Sequence, residues 1–128
     1  MNSKKSILST LSCLLFFCLV ANASAGDVLT CQKTNKPARS RASVEVEDLK
    51  PGVLYTATVT SGNNSSSASQ IADAFGNVEV DFDSNAKDIL AGATPLTKTF
   101  IVSSTLAVSV TTASGAIVNT SAAACKIR

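Results

Sequence analysis

The carboxylate side chains of this chain are concentrated in one short segment. Residues 73–88 contain five acidic residues and a single lysine. Asp81, Asp83 and Asn85 alternate within this segment, and Asp88 follows three residues later. Oxygen ligands at this spacing are typical of Ca²⁺ sites, and Asp-x-Asp-x-Asn matches the first three ligand positions of a calcium-binding loop. The segment therefore gives a Ca²⁺ hypothesis, with Asp81, Asp83, Asn85 and Asp88 as the candidate ligands.

The rest of the segment departs from that loop. The position that requires glycine for a sharp turn is Ala86, and the position that requires a bidentate glutamate is Gly92. A second interpretation makes these acidic residues the solvent face of a strand, where charge prevents pairing with other chains. On this interpretation we expect no bound cofactor, and a Ca²⁺-binding module centred on residues 79–88 stays as the alternative.

Catalysis is not expected from this composition. The chain has no histidine, which is the commonest general base and metal ligand. Glu79 and Asp81 would stand about 6.8 Å apart on one strand, a separation compatible with an inverting glycosidase. However, aromatic residues are only 5% of the chain, so a sugar-binding cleft has few platforms. We predict that the protein is not an enzyme, and keep an enzyme centred on residues 79–88 as the alternative.

The first 25 residues have the composition of a secretory signal peptide. Lys4 and Lys5 precede an apolar run over residues 7–20, and Ala23 and Ala25 supply the small residues of a cleavage site. The run of about 14 residues is shorter than the roughly 20 that span a bilayer. We predict cleavage after Ala25, export to the periplasm or the exterior, and one domain over residues 26–128.

Export changes both the charge and the cysteine content. The whole chain has 11 basic and 9 acidic side chains, and two of the basic ones lie in the predicted signal peptide. The exported chain is then formally neutral, so neither nucleic acid nor a membrane is expected as a partner. Two of the four cysteines also leave, and the remaining pair, Cys31 and Cys125, is predicted to form a disulfide in an oxidising compartment.

The exported part is rich in short apolar and polar alternations. Apolar and polar residues alternate with a period of two around Val44 and Val46 and within residues 53–60, 78–83 and 106–112. Turn-forming residues separate these segments. Residues 33–41 are predicted to be a loop, residues 97–102 a strand, and Gly76 and Asn77 the turn of a hairpin. One helical turn is expected over residues 85–90. Seven or eight strands at this spacing predict an all-β protein, an antiparallel β-sandwich, with a small barrel as the alternative.

A local resemblance adds to this prediction. Leu49, Pro51, Gly52 and Tyr55, followed by alternation as far as Val59, resemble the turn and strand of fibronectin type III domains. The resemblance covers about 11 residues and implies an immunoglobulin-like sandwich without an active site. In that family the motif lies past the middle of the domain, whereas here it lies near the start of the exported chain. The strand order of the family therefore does not transfer directly.

Together these patterns predict a small exported module that works through surface contacts. A protein is the preferred partner, because few aromatic residues are present to stack on a sugar. The chain is expected to be a monomer or to self-associate weakly. A subunit of a fibre or extracellular matrix is a further alternative, because residues 99–102 and 106–110 are uncharged and β-prone and would recruit another chain from an unpaired edge.

Overall fold

The computed structural model describes residues 27–128. The predicted signal peptide and its cleavage site after Ala25 lie outside the described residues. Within residues 27–128, no helix combines the length and the hydropathy needed to cross a bilayer.

Strands account for most of the described chain, as predicted for an all-β protein. The part of the chain that the structure describes contains nine strands and one short helix. In chain order they are β1 (Val28–Asn35), β2 (Ala38–Val46), β3 (Leu54–Ser61), β4 (Asn64–Ile71), β5 (Val78–Asp83), α1 (Ala86–Leu90), β6 (Thr94–Pro95), β7 (Thr105–Thr112), β8 (Ile117–Ala124) and β9 (Lys126–Ile127).

The strands form two sheets. The five-stranded sheet has the order β6-β5-β2-β1-β9, and the four-stranded sheet has the order β4-β3-β7-β8. All pairings between long strands are antiparallel, and only the two-residue strands β6 and β9 pair in parallel. The prediction of mainly antiparallel strands is therefore confirmed.

One hydrophobic core joins the two sheets. Alternate residues of β2 and β5, such as Val44 and Phe82, are buried from one side, and those of β3 and β7, such as Val59 and Leu106, from the other. This alternation is the period-two pattern expected of strands with one dry face. The whole buried set forms a single cluster, so each sheet is stabilised by contact with the other.

Residues 97–102 are not a strand, contrary to the prediction. They cross from one sheet to the other, and Phe100 and Ile101 are buried in the core. Buried serines supply the hydrogen bonds that a ladder would otherwise provide. The Ser40 hydroxyl donates to the carbonyl of Lys98 at 3.0 Å and accepts from the Ile101 amide at 3.1 Å, and the Ser61 hydroxyl accepts from the Val102 amide at 2.9 Å. Apolar β-branched composition alone does not distinguish such a crossing from a strand.

The predicted loop over residues 33–41 is also wrong. These residues form the turn end of the β1–β2 hairpin, in which eight consecutive pairs join Val28 with Glu45 through to Asn35 with Ala38. The basic residues concealed the strand, because Arg39 and Arg41 lie on the outer face of the five-stranded sheet and face solvent and Asp83.

The predicted hairpin about Gly76 is wrong as well. β4 pairs with β3 through a turn at Gly62 and Asn63, whereas β5 pairs with β2 in the other sheet. The residues around Gly76 therefore carry the chain between the sheets. The predicted helical turn is confirmed as α1, with Asn85 as its N-cap.

Cys31 and Cys125 form the predicted disulfide. Their Cα atoms lie 4.5 Å apart, although the residues are 94 positions apart in the sequence. Cys31 lies in β1 of the five-stranded sheet, and Cys125 follows β8 of the four-stranded sheet. The bond therefore links the two sheets covalently near the two ends of the described chain.

Candidate functional site

The acidic segment is organised around Arg39, which lies outside it in the sequence. Arg39 Nε donates to Asp83 Oδ1 at 3.0 Å, and Arg39 Nη2 donates to Asp83 Oδ2 at 2.7 Å. The same Nη2 atom donates to Asp88 Oδ2 at 2.8 Å. The two bonds to Asp83 form a two-pronged pair, which is the strongest kind between arginine and a carboxylate, and they link β2 to the end of β5. The single bond to Asp88 links the same arginine to α1.

Asp83 differs from the other carboxylates because it is buried. Its side chain is 4% exposed. Burial by itself raises the pKa of Asp83, but the hydrogen bonds from Arg39 and from the Asn85 amide outweigh it and hold the pKa below its usual value. Asp83 is therefore a carboxylate that is paired within the protein.

The four candidate Ca²⁺ ligands have different surroundings. Asp83 and Asp88 bind the guanidinium of Arg39, and Asn85 Oδ1 accepts from the amides of Lys87 and Asp88 as the helix cap. Asp81 lies apart from them on the outer face and accepts from the Ser43 hydroxyl at 2.7 Å. Among residues 27–128, no three acidic or cysteine side chains are grouped closely enough to hold a metal ion. The Ca²⁺ hypothesis therefore has no geometric support within these residues.

A polar groove of about 800 Å³ adjoins this cluster. Its lining combines acidic side chains, including Asp81 and Asp88, with Arg41 and Lys126. A glycosidase would require one carboxyl whose pKa is raised so that it can act as an acid. The pKa of Asp83, the buried carboxyl of the segment, is lowered instead.

A different surface stands out by its exposed apolar side chains. The start of β3, the end of β4 and the start of β8 lie at the same end of the four-stranded sheet, because neighbouring strands run in opposite directions. We call this surface the apolar end, and it consists of Leu54, Ile71, Phe75, Ile117 and Val118, all of them exposed.

Phe75 is the most exposed member of the apolar end. It is 84% exposed, whereas the other aromatic residues of the described chain are buried. It lies in the turn of residues 72–77, where Asp73 Oδ1 accepts from the amides of both Phe75 and Asn77 at 2.9 Å. These hydrogen bonds fix the backbone that carries Phe75, so a partner that binds the ring would not have to order the turn as well.

The turn is also fixed to the rest of the protein. The Leu49 amide donates to the Gly76 carbonyl at 2.9 Å, and the Ala72 amide donates to the Val53 carbonyl at 2.9 Å. Gly76 has φ +81°, and a Cβ atom there would overlap the carbonyl oxygen of Leu49. The connection between β4 and β5 is therefore locked against the connection between β2 and β3.

Neither Arg39 nor Phe75 is predicted as a site residue from the sequence. Arg39 was placed in a basic loop, and only the pairing of β2 with β5 brings it to Asp83. Phe75 left a detectable signal, because an aromatic residue between Asp73 and the Gly76-Asn77 pair lies in a turn and not on a strand face.

Comparisons of the chain with protein-family models, with curated proteins and with solved structures find no match.

Proposed function

We propose that the chain is a small exported, non-catalytic module that binds a protein through its apolar end. The single observation that carries this proposal is Phe75, an aromatic side chain presented to solvent on a hydrogen-bonded turn. Leu54 and Ile71, which are cross-strand neighbours on the adjoining strands, extend the apolar surface. Exposed apolar surfaces mark sites of protein interaction, and aromatic residues are enriched in the buried centres of protein interfaces.

We further propose that the two sheets form an immunoglobulin-like sandwich. Two features support this. The order β4-β3-β7-β8 corresponds to C′-C-F-G of such sandwiches, and β1-β2-β5 corresponds to A-B-E. In addition, the hydroxyl of Tyr55 accepts from the amide of Lys50 at 3.0 Å, which is similar to the hydrogen bond of a tyrosine corner. That corner lies between β2 and β3 here, which is why the fibronectin-like motif is early in the chain.

Export to the periplasm or the exterior belongs to the same proposal. The Cys31–Cys125 disulfide supports it, because such bonds persist in oxidising compartments. N-terminal sequencing of the protein from the exported fraction should begin at Gly26. A product that begins at Met1 and fractionates with the cytoplasm would contradict this part of the proposal.

The proposed binding surface is tested by exchanging one exposed side chain. Phe75→Ser removes the aromatic ring. Leu90→Ser is the matched control, because Leu90 is 89% exposed on α1, which follows the end of β5, whereas Phe75 precedes the start of β5. Each tagged protein is used to capture partners from the exported fraction of the cells that make it, with quantification by mass spectrometry.

We expect a protein that the wild type and Leu90→Ser capture equally, and whose capture falls at least about tenfold with Phe75→Ser. Equal capture by all three proteins, or loss with Leu90→Ser alone, would place the interface elsewhere.

A further inference from the structure

We propose that copies of this chain join end to end through the edges of the four-stranded sheet, with β8 of one copy pairing antiparallel with β4 of the next. This inference goes beyond the proposed binding function and depends on the backbone edges of β4 and β8, not on the side chain of Phe75.

The two sheets differ in how their edges are covered. The five-stranded sheet ends in β6 and β9, which are two residues each. The four-stranded sheet ends in β4 and β8, which are eight residues each and contain no charged residue and no proline. Edge strands normally carry charge, proline or a short length, because these features prevent pairing with another chain. Both edges of the four-stranded sheet lack these features.

The free hydrogen-bonding groups on these edges can be assigned from the register. The two-residue turn between β3 and β4 makes Ser61 and Asn64 a hydrogen-bonded pair, so the pairs alternate from there. Ser65, Ser67 and Ser69 then direct their amides and carbonyls away from β3. Hydrogen-bonded and non-hydrogen-bonded pairs also alternate between β3 and β7 and between β7 and β8. By this alternation the amides and carbonyls of Thr120 and Ala122 in β8 point away from β7. Within residues 27–128, no backbone hydrogen bond to another element covers these groups.

The directions of the strands allow a second copy to fit. In the order β4-β3-β7-β8 each strand runs opposite to its neighbour, so β4 and β8 also run in opposite directions. A copy placed beside β8 in the same orientation therefore presents its β4 antiparallel to β8. The two edges have equal length, and the strand pairing continues from one molecule into the next.

Side chains beside the proposed junction do not oppose it. The exposed outer face along β4 carries serines, and that along β8 carries Thr120, Ala122 and Ala124. These residues are small and uncharged, so along this stretch the two strands can pair without like-charge repulsion between their side chains. Because two different edges are joined, the contact does not close on itself and adds copies in one direction.

The experiment blocks each edge separately with proline. Ser67→Pro in β4 and Thr120→Pro in β8 remove an outward amide without removing a ladder bond inside the sheet, since proline is tolerated where the amide faces solvent. These residues occupy the two ends of one cross-strand row, Ser67–Thr58–Ser109–Thr120. Ser67→Ala and Thr120→Ala are the matched controls, because they remove the same hydroxyls and keep the amides. Circular dichroism establishes that each variant is folded, and sedimentation velocity of the exported form gives the mass as the concentration rises.

We expect the wild type and both alanine variants to form oligomers that grow with concentration. Each proline variant alone should weaken association at least about tenfold, and an equimolar mixture of the two should form dimers, because each retains the edge that the other lacks. A folded wild type that stays monomeric at its highest soluble concentration would overturn the proposal. Dimers of one proline variant alone would overturn it too, since they require pairing of like edges. Phe75→Ser should associate as the wild type does, so this proposal and the protein-binding proposal fail separately.

Discussion

At the scale of single residues, the pair formed by Arg39 and Asp83 fixes the outer face of the five-stranded sheet. Asp83 is the charged side chain that is buried among residues 27–128, and Arg39 is 28% exposed. A buried charge that loses its partner is strongly destabilising, whereas an exposed ion pair contributes little. The pair between Arg39 and Asp88, whose side chain is 47% exposed, belongs to the second kind.

Substitution should separate these two pairs. Arg39→Gln leaves the buried charge of Asp83 without its two-pronged partner, so we expect the free energy of unfolding to fall by about 3 kcal/mol. Asp88→Asn should lower it by less than about 1 kcal/mol. Urea unfolding at neutral pH measures both values, and equal losses would show that Asp88 is as important to stability as Asp83.

The pair between Arg39 and Asp83 should also make stability depend on pH in the acidic range. The folded protein holds the pKa of Asp83 below the ordinary value that an aspartate has in an unfolded chain. Its contribution to stability is therefore complete above that unfolded pKa and is lost as the pH falls through the folded pKa. The wild type should lose stability more steeply over this range than Asp83→Asn does, as measured by urea unfolding at a series of acidic pH values.

At the scale of elements, the turn of residues 72–77 determines how the two sheets are connected. The alternation in residues 53–60 and 78–83 was sufficient to predict β3 and β5, because a strand with one buried face leaves a period-two pattern. The sheet to which each strand belongs leaves no such pattern. It depends on contacts such as that between Gly76 and Leu49, which are distant in the sequence.

Two glycine substitutions should test this connection. Gly76 and Gly52 have nearly the same backbone angle, φ +81° and φ +79°, but a Cβ at Gly52 meets no atom within 4 Å. Gly52→Ala should therefore cost about 1 kcal/mol through backbone strain alone. Gly76→Ala adds a clash with the Leu49 carbonyl and should cost about 3 kcal/mol. Thermal or urea unfolding measures the loss of stability for each variant. Similar losses for Gly52→Ala and Gly76→Ala would mean that the turn shifts enough to relieve the clash with Leu49.

At the scale of the whole molecule, the disulfide between Cys31 and Cys125 encloses almost all of the described strands. Replacing both cysteines by serine should lower the free energy of unfolding by about 4 kcal/mol. The two cysteines are 94 positions apart, and without the bond the unfolded chain regains the conformational freedom of the long loop between them. Urea unfolding of the double variant measures this loss, and reduced wild type should show the same midpoint. An unchanged midpoint would indicate that the unfolded chain is compact without the bond.

Composition and spacing were enough to predict the all-β class and this disulfide, but not the surfaces. The cysteine pairing followed from counting, since two residues leave one combination. Residues 106–110, which were expected to recruit another chain from an unpaired edge, lie in the central strand β7, and the edges are the Ser-rich strand β4 and the Ala-rich strand β8. Edge position depends on strand order, which the hydrophobic pattern does not encode.

The position of the Cys31–Cys125 bond has a mechanical consequence. Asp27 lies near the start of β8, where the Asn119 side chain donates to it, while Arg128 bonds to Lys33 and Asn35 at the opposite end of β1. Tension applied at residues 27 and 128 would thus pull from opposite ends of β1. The force would pass through the bond between the sulfur atoms of Cys31 and Cys125, so the strands within residues 32–124 would bear none of it. A cell that exported this protein in oxidised form would have an inextensible link, and reduction would convert it into a spring that lengthens by roughly 300 Å.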